Sequence, residues 1–235
     1  VIGLVLSCEH ASWTLPPDVD LGVPLDVLRS QASWDPGAFD IAAQLGERFG
    51  LPIHTGAFSR MWVDLNRPRD HVDVVPQVSF GARVPGNAAT VLTGAVRAAR
   101  IATYHQPYWD AVRRDVAGRL RSIGGCLHLS SHSFDPALGA DRDFDVGVLY
   151  DPAVEFEADL AERLQFKLRG GGLAVRANLP YRGTEPALVT SLRQVFAGQR
   201  YAGLELETSH AVVRSPDGCA RIARATATAL DDLLS

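Results

Sequence analysis

"VLSCEHAS", residues 5–12, decides how the fold is read. Apolar residues run straight into Ser7, Cys8, Glu9 and His10. Gly3 to Ser7 therefore predicts a short buried strand, and chemically capable side chains gather at its carboxyl end. The pattern recurs twice. "CLHLSSHSF" (126–134) predicts a strand that turns polar as it ends at His132 and Ser133. "AGLELET" (202–208) predicts a strand carrying Glu205 and Glu207 on one face, because alternate strand residues point the same way.

Working outward, helical segments separate these strands. "DPGAFDIAAQLGERFG" (35–50) predicts a helix with Asp35 as N-cap and Pro36 in the first position. Phe39, Ala42, Leu45 and Phe49 form its apolar stripe, and Gly50 stops it. Two helical stretches are expected to flank "HQPYW" between 91 and 123. A helix from Asp151-Pro152 reaches Gly170–Gly172, another spans 186–197, and a last one follows Ser215-Pro216. Shorter strands are predicted at 52–56, 61–65, 144–150 and 173–178. The Pro- and Gly-containing stretch 68–90 reads as a long loop, a kind of segment that often borders an active site. Alternating strands and helices predict an α/β fold of three layers, a mixed and mostly parallel sheet with helices on both faces. Ligands of such sheets bind beyond the carboxyl ends of the strands, where the polar clusters fall. At 235 residues the chain is expected to be one domain spanning 1–235.

Composition narrows the function classes. Hydrophobic residues make up 46%, enough for a substantial core, and the net charge of −4 argues against nucleic acid or an anionic membrane as partner. No apolar run approaches a membrane span of about 18 residues. Three scattered cysteines, 8, 126 and 219, form neither a disulfide framework nor a CxxC knuckle. A reducing, cytoplasmic setting is the expectation.

The residues leave several chemistries open. His10 and His132 each end a strand, and two histidines plus a carboxylate are a common catalytic zinc set. Asp35 is the natural third ligand and Glu9 the alternative, although an Asp before Pro at a helix start is commonly only a cap. Glu205 or Glu207 could move protons near such a metal, or sit on the solvated face of an edge strand. In "VDLNRPRD" (63–70), Arg67 could anchor a substrate carboxylate or pair with Asp64 or Asp70. "NLPYRGTEP" (178–186) makes a shaped loop with polar tips at Asn178, Tyr181 and Arg182. A Cys8–His10 thiolate pair, or a serine beside His132, would give a metal-independent hydrolase. A free cysteine inside a strand is more often a small buried hydrophobe, and no G-x-S-x-G elbow, P-loop or GxGxxG is present.

Several stretches, in order along nearly the whole chain, resemble the N-formylglutamate amidohydrolase (N-formylglutamate deformylase) family. They are "SCEHAS", "SWDPGAFDIAAQL", "FSRMWVDLNRP", "HQPYW", "SSHSF" and "NLPYRG", with "LELE" where that family carries a Glu-Ile-Asn-Arg strand. Glu207 and Thr208 thus replace the family's Asn and Arg. The carboxypeptidase-type His-x-x-Glu is absent, since position 13 is Trp.

The resemblance implies a phosphorylase/hydrolase-like fold shared with zinc carboxypeptidases and N-acetylmuramoyl amidases. It implies Zn2+, or another divalent metal, on His10, Asp35 and His132. Glu205 would be the general base, with Glu207 as the alternative. Asn66 and Arg67 would hold a substrate carboxylate, and Asn178, Tyr181 and Arg182 would shape the substrate side. The implied reaction converts N-formyl-L-glutamate, a small carboxylate-bearing substrate, to formate and L-glutamate in histidine degradation. A different carboxylate-bearing amide or peptide, or a non-catalytic member of the family, are the other readings. No oligomeric state is implied.

Overall fold

A computed structural model describes all residues 1–235. Its frame is a six-stranded sheet in the order β2-β1-β5-β8-β6-β7. In chain order the strands are β1 (Gly3–Cys8), β2 (Ile53–Thr55), the hairpin strands β3 (Val78–Ser79) and β4 (Ala82–Arg83), β5 (Cys126–Phe134), β6 (Val146–Leu149), β7 (Val175–Ala177) and β8 (Tyr201–Ser209). The pairs β2–β1, β1–β5, β5–β8 and β6–β7 are parallel, and β6–β8 is antiparallel. The mixed, mostly parallel sheet expected from the sequence is what forms.

The helices are α1 (Leu25–Leu28), α2 (Ala38–Phe49), α3 (Gly94–Arg100), α4 (Gln106–Ile123), α5 (Glu155–Gly170), α6 (Leu188–Val195), α7 (His210–Val213) and α8 (Gly218–Leu234). On one face of the sheet, Leu4, Leu6, Leu127, Leu129, Leu204 and Leu206 pack against α2, α5 and α8 in the largest apolar cluster. On the other face, Val5, Cys126 and Tyr201 pack against α4 and α6. Along this second face the strands turn from apolar to polar. Val5 gives way to Ser7, Cys126 to His128, Ser130 and His132, and Tyr201 to Glu205 and Glu207. All of these polar residues are buried. Period-2 alternation therefore delivers the reactive side chains to one face at the carboxyl ends.

Five local expectations change. First, α2 begins three residues after Asp35. Its N-cap is Gly37 at φ 77, and no side chain caps it. A side chain at Gly37 would also collide with Val213, whose Cβ would lie 2.6 Å away. Asp35 is instead pinned by its backbone N–H to the His10 carbonyl at 3.0 Å. The buried stripe of α2 is Ala38, Ile41, Ala42 and Leu45, while Phe39 is exposed.

Second, 61–65 is a turn rather than a strand. Ser59 and Asp64 take the backbone N–H groups of Met61 and Asn66 on their side chains, so those donors are lost to a sheet. Third, α3 and α4 join into one helix through a π-helical turn, Ile101–His105, in which Gln106 N–H bonds Ile101 C=O. Pro107 follows directly, and its missing N–H and bulky ring favour such a widened turn. Fourth, the 68–90 loop holds the small β3–β4 hairpin. Finally, β8 lies inside the sheet between β5 and β6, which removes the edge-strand reading of Glu205 and Glu207. No helix is long and apolar enough to cross a membrane.

Candidate metal centre

His10 follows β1, Asp35 precedes α2 and His132 sits near the end of β5. Buried together, they bring one ligand atom each to within 4.8 Å of one another. Asp35 Oδ2 lies 3.4 Å from His10 Nδ1 and 2.9 Å from His132 Nδ1. The opposite ring nitrogens are already engaged. His10 Nε2 meets Asp64 Oδ1 at 2.8 Å, and His132 Nε2 meets Ser130 Oγ at 2.9 Å and Glu9 Oε2 at 3.1 Å. An imidazole that donates Nε2–H to these partners presents a lone pair at Nδ1. Two such lone pairs facing one carboxylate oxygen are mutually repulsive acceptors, and a cation between them resolves the conflict. The donor set thus fits a divalent metal, with both rings oriented by buried carboxylates, as is usual for histidine ligands.

The second oxygen of Asp35 is occupied separately. Its Oδ1 accepts from the Arg60 guanidinium and, at 2.9 Å, from Gln31 Nε2. Glu9 accepts from Ser130 Oγ and, at 2.8 Å, from Tyr108 OH. Electrostatics follow from these contacts. Burial alone would raise all three acids. The neighbouring Arg60 and the two histidines instead hold Asp35 well below the usual carboxylate range. Histidine contacts do the same for Asp64 and Glu9. Burial would lower His132, but the hydrogen bonds and charges of Asp35 and Glu9 raise it well above an ordinary imidazole. Without a metal, these contacts favour the protonated ring of His132.

The centre opens into a cleft of about 230 Å³ whose lining includes Asn66, Arg67, Tyr181, Arg182, Glu205 and Glu207. Asn66 Nδ2 donates to Glu205 Oε1 at 2.8 Å, and Asn66 Oδ1 accepts from Leu188 N–H at 3.1 Å. Glu205 Oε1 is 3.6 Å from His132 Nε2. Glu207 Oε2 is buried without a hydrogen-bond partner, and burial pushes its carboxyl up to about 8. One guanidinium nitrogen of Arg67 donates to the Pro186 carbonyl at 2.7 Å. Asn178 does not line the cleft. At φ 51, its Oδ1 accepts from Tyr150 N–H and Gly183 N–H, both at 3.0 Å. Its side chain shapes the loop that presents Tyr181 and Arg182.

Cys8 does not line the cleft. It is wholly buried with Ala38 and Ala42, and burial raises its thiol well above the ordinary range, so no thiolate forms there. The residues that sequence reasoning missed are the supports: Asp64, Arg60, Gln31 and the "HQPYW" segment. That segment acts as a unit. His105 Nε2 bonds the Arg67 carbonyl at 2.7 Å, Tyr108 OH donates to Glu9, and Trp109 Nε1 donates to the Leu65 carbonyl at 2.8 Å. The α3–α4 helix thereby props both the metal centre and the 64–67 turn.

The fold and the sequence both have known relatives. The crystal structure of gene product Atu2144 from Agrobacterium tumefaciens shares 30% sequence identity, with a TM-score of 0.84, over 98% of this chain and 90% of that one. N-formylglutamate amidohydrolase from Ralstonia eutropha JMP134 shares the fold, with a TM-score of 0.76 at 20% identity over 100% of this chain and 94% of that one. No curated protein matches the sequence. The profile of the N-formylglutamate amidohydrolase family matches residues 2–213, nearly the whole chain, and the protein belongs to that family.

Proposed function

We propose that the protein is a metal-dependent amidohydrolase that cleaves the amide bond of an N-formyl or N-acyl amino acid. The family reaction, N-formyl-L-glutamate plus water giving formate and L-glutamate, is the parent chemistry. The observation that carries this reading is the convergence of His10 Nδ1, His132 Nδ1 and Asp35 Oδ2 beside a cleft lined by Glu205. His10, Asp35 and His132 would hold a divalent cation, zinc by the nature of the set, which would supply polarisation of the scissile carbonyl and a lowered pKa for the attacking water.

The remaining work falls to the chain's own residues. Glu205, oriented through Oε1 by Asn66, has Oε2 free to take the water's proton and return it to the leaving nitrogen as the C–N bond breaks. It is preferred to Glu207 for this step because nothing comparable holds Glu207 in one orientation. Arg67 keeps N–H groups beyond its bond to Pro186, and its planar fork suits a substrate carboxylate. Tyr181 and Arg182 bound the substrate side. Asp64 and Glu9 keep the two imidazoles in the tautomer the site needs.

Elemental analysis of the purified protein tests the core of the proposal. Stoichiometric metal is expected, and it should be lost in His10→Ala and in Asp35→Ala. Metal retained in both variants would sink the assignment. Hydrolysis of N-acyl amino acids should stop with chelator and resume with zinc. Activity indifferent to chelator would return the question to a metal-independent hydrolase, and metal-free protein without turnover to a binding module.

A further inference from the structure

Two observations on the cleft point beyond its chemistry to its substrate. The first is its charge. The lining carries six carboxylates, Asp35, Asp64, Asp73, Glu185, Glu205 and Glu207, against three arginines, Arg60, Arg67 and Arg182. With neutral histidines, and with Glu207 held protonated by burial until a cation pairs with it, a bound divalent cation only balances this lining. The lining therefore offers no surplus of positive charge to a dianion such as an N-acyl glutamate.

The second is Glu207. It is 5% exposed, it lines the cleft, and its Oε2 is buried with no hydrogen-bond partner. The other cleft carboxylates next to the metal centre are all engaged: Asp35 by Arg60 and Gln31, Asp64 by His10, and Glu205 by Asn66. Glu207 forms no such pair, and a buried carboxylate left unpaired is costly. It stands two residues beyond Glu205 on the same face of β8, a step of about 7 Å along the strand. The Asn66–Arg67 end of the cleft is tied to Glu205, so the cleft offers a cationic anchor on that side and an unmatched carboxyl group farther along.

We propose that the preferred substrate is an N-acylated amino acid whose side chain ends in a cationic nitrogen, an ammonium or guanidinium, with Glu207 as its recognition residue. The inference rests on the amidohydrolase reading and refines it. Arg67 takes the α-carboxylate, and the side-chain cation meets Glu207, supplying the charge and the donors that Oε2 lacks.

The test uses the metal-loaded protein and the N-formyl and N-acetyl derivatives of lysine, arginine, glutamine and glutamate. For the wild type, kcat/KM should favour the basic derivatives over the glutamine one by about tenfold or more, the scale of one charged hydrogen bond, with glutamate the poorest. Glu207→Gln, nearly isosteric, should collapse the basic-to-neutral ratio towards one, and Glu207→Asn should do the same. A glutamate derivative turned over as well as the basic ones would overturn the proposal. So would a Glu207→Gln variant that loses rate equally on every substrate, which would make Glu207 a proton carrier. Calorimetric binding of free lysine, glutamine and glutamate gives a readout independent of turnover. Lysine should bind tightest to the wild type and lose that advantage in Glu207→Gln. Equal binding of all three overturns the recognition role even if hydrolysis is never seen. Selective lysine binding without hydrolysis would instead leave that role standing and count against the amidohydrolase reading.

Discussion

Asp64 is the sharpest place to test how the metal centre is built, because it touches the proposed metal only through His10. Its Oδ1 accepts from His10 Nε2 at 2.8 Å and from the Asn66 backbone N–H at 2.9 Å. Asp64→Ala leaves both donors without their partner and frees the His10 ring to rotate or change tautomer. Losing such an outer partner weakens metal affinity by about 10–100-fold, or about 1.4–2.7 kcal/mol. The value for Asp64→Ala should fall at the upper end, because two donors lose one acceptor. Asp64→Asn should fall at the lower end if the amide oxygen takes the Oδ1 position, since only the charge is then lost. The assay is competition for zinc against a chromophoric chelator at fixed pH, with circular dichroism confirming that both variants fold. Wild-type affinity in Asp64→Ala would refute the reasoning, since His10 would then either not bind the metal or need no support. A loss in Asn as large as that in Ala would show that charge, not the shared acceptor, is what matters.

Four further outcomes are expected. Glu205→Gln should lower kcat by about 10²–10⁴-fold with metal content unchanged, whereas lost metal would make Glu205 part of the centre itself. Tyr108→Phe removes a buried donor to the ionised Glu9, so urea denaturation should show a loss of about 1.5–3 kcal/mol. Cys8 should resist alkylating reagents in the native state and react only after denaturation; rapid native modification would contradict its burial against Ala38 and Ala42.

The metal-free protein should have a pH optimum of stability. Glu9, Asp35 and Asp64 are held below their unfolded values. Their contribution is therefore present above about pH 4 and lost as pH falls. His132 is held above its unfolded value, so its contribution is present below about pH 6.5 and lost as pH rises. Glu207, raised to about 8, also disfavours the native state as pH climbs above its unfolded value. Thermal melts of metal-free protein should thus peak in mildly acidic buffer and decline on both sides. Bound zinc, which requires neutral histidines, should remove the alkaline decline. A flat alkaline limb without metal would show that Asp35 and Glu9 do not hold the His132 proton.

What the sequence revealed and what it hid have separate physical causes. Strand polarity was legible because alternation is local: six residues of β1 or nine of β8 suffice to show which side chains share a face. His10, Asp35, His132, Glu205 and Glu207 announced themselves in this way, by an abrupt change from apolar to polar at a strand end or beside a helix start. The helix start itself was misread. Asp-Pro-Gly looks like a cap followed by a first turn, but Gly37 in the left-handed region moves the cap by two residues and releases the Asp35 side chain to the centre. Asp64 was hidden for a different reason. Its obvious partner in sequence is Arg67, three residues away, while its actual partner His10 lies 54 residues distant. No local pattern encodes that meeting; the crossover that sets β2 beside β1 creates it. The same holds for "HQPYW", whose three aromatic side chains look like ordinary helix packing until the π-helical turn points each polar atom at the 64–67 turn or at Glu9. The candidate ligands were thus legible because they stand at strand ends or beside a helix start, whereas their supports were not, because only the crossovers bring them into contact. Glu207 inverts this relation. The sequence displays it plainly beside Glu205, and the fold, which gives every other carboxylate near the candidate metal centre a partner, gives its Oε2 none. A residue so visible and so unmatched has its partner outside the chain, which is why the substrate, rather than the fold, is where its role must be sought.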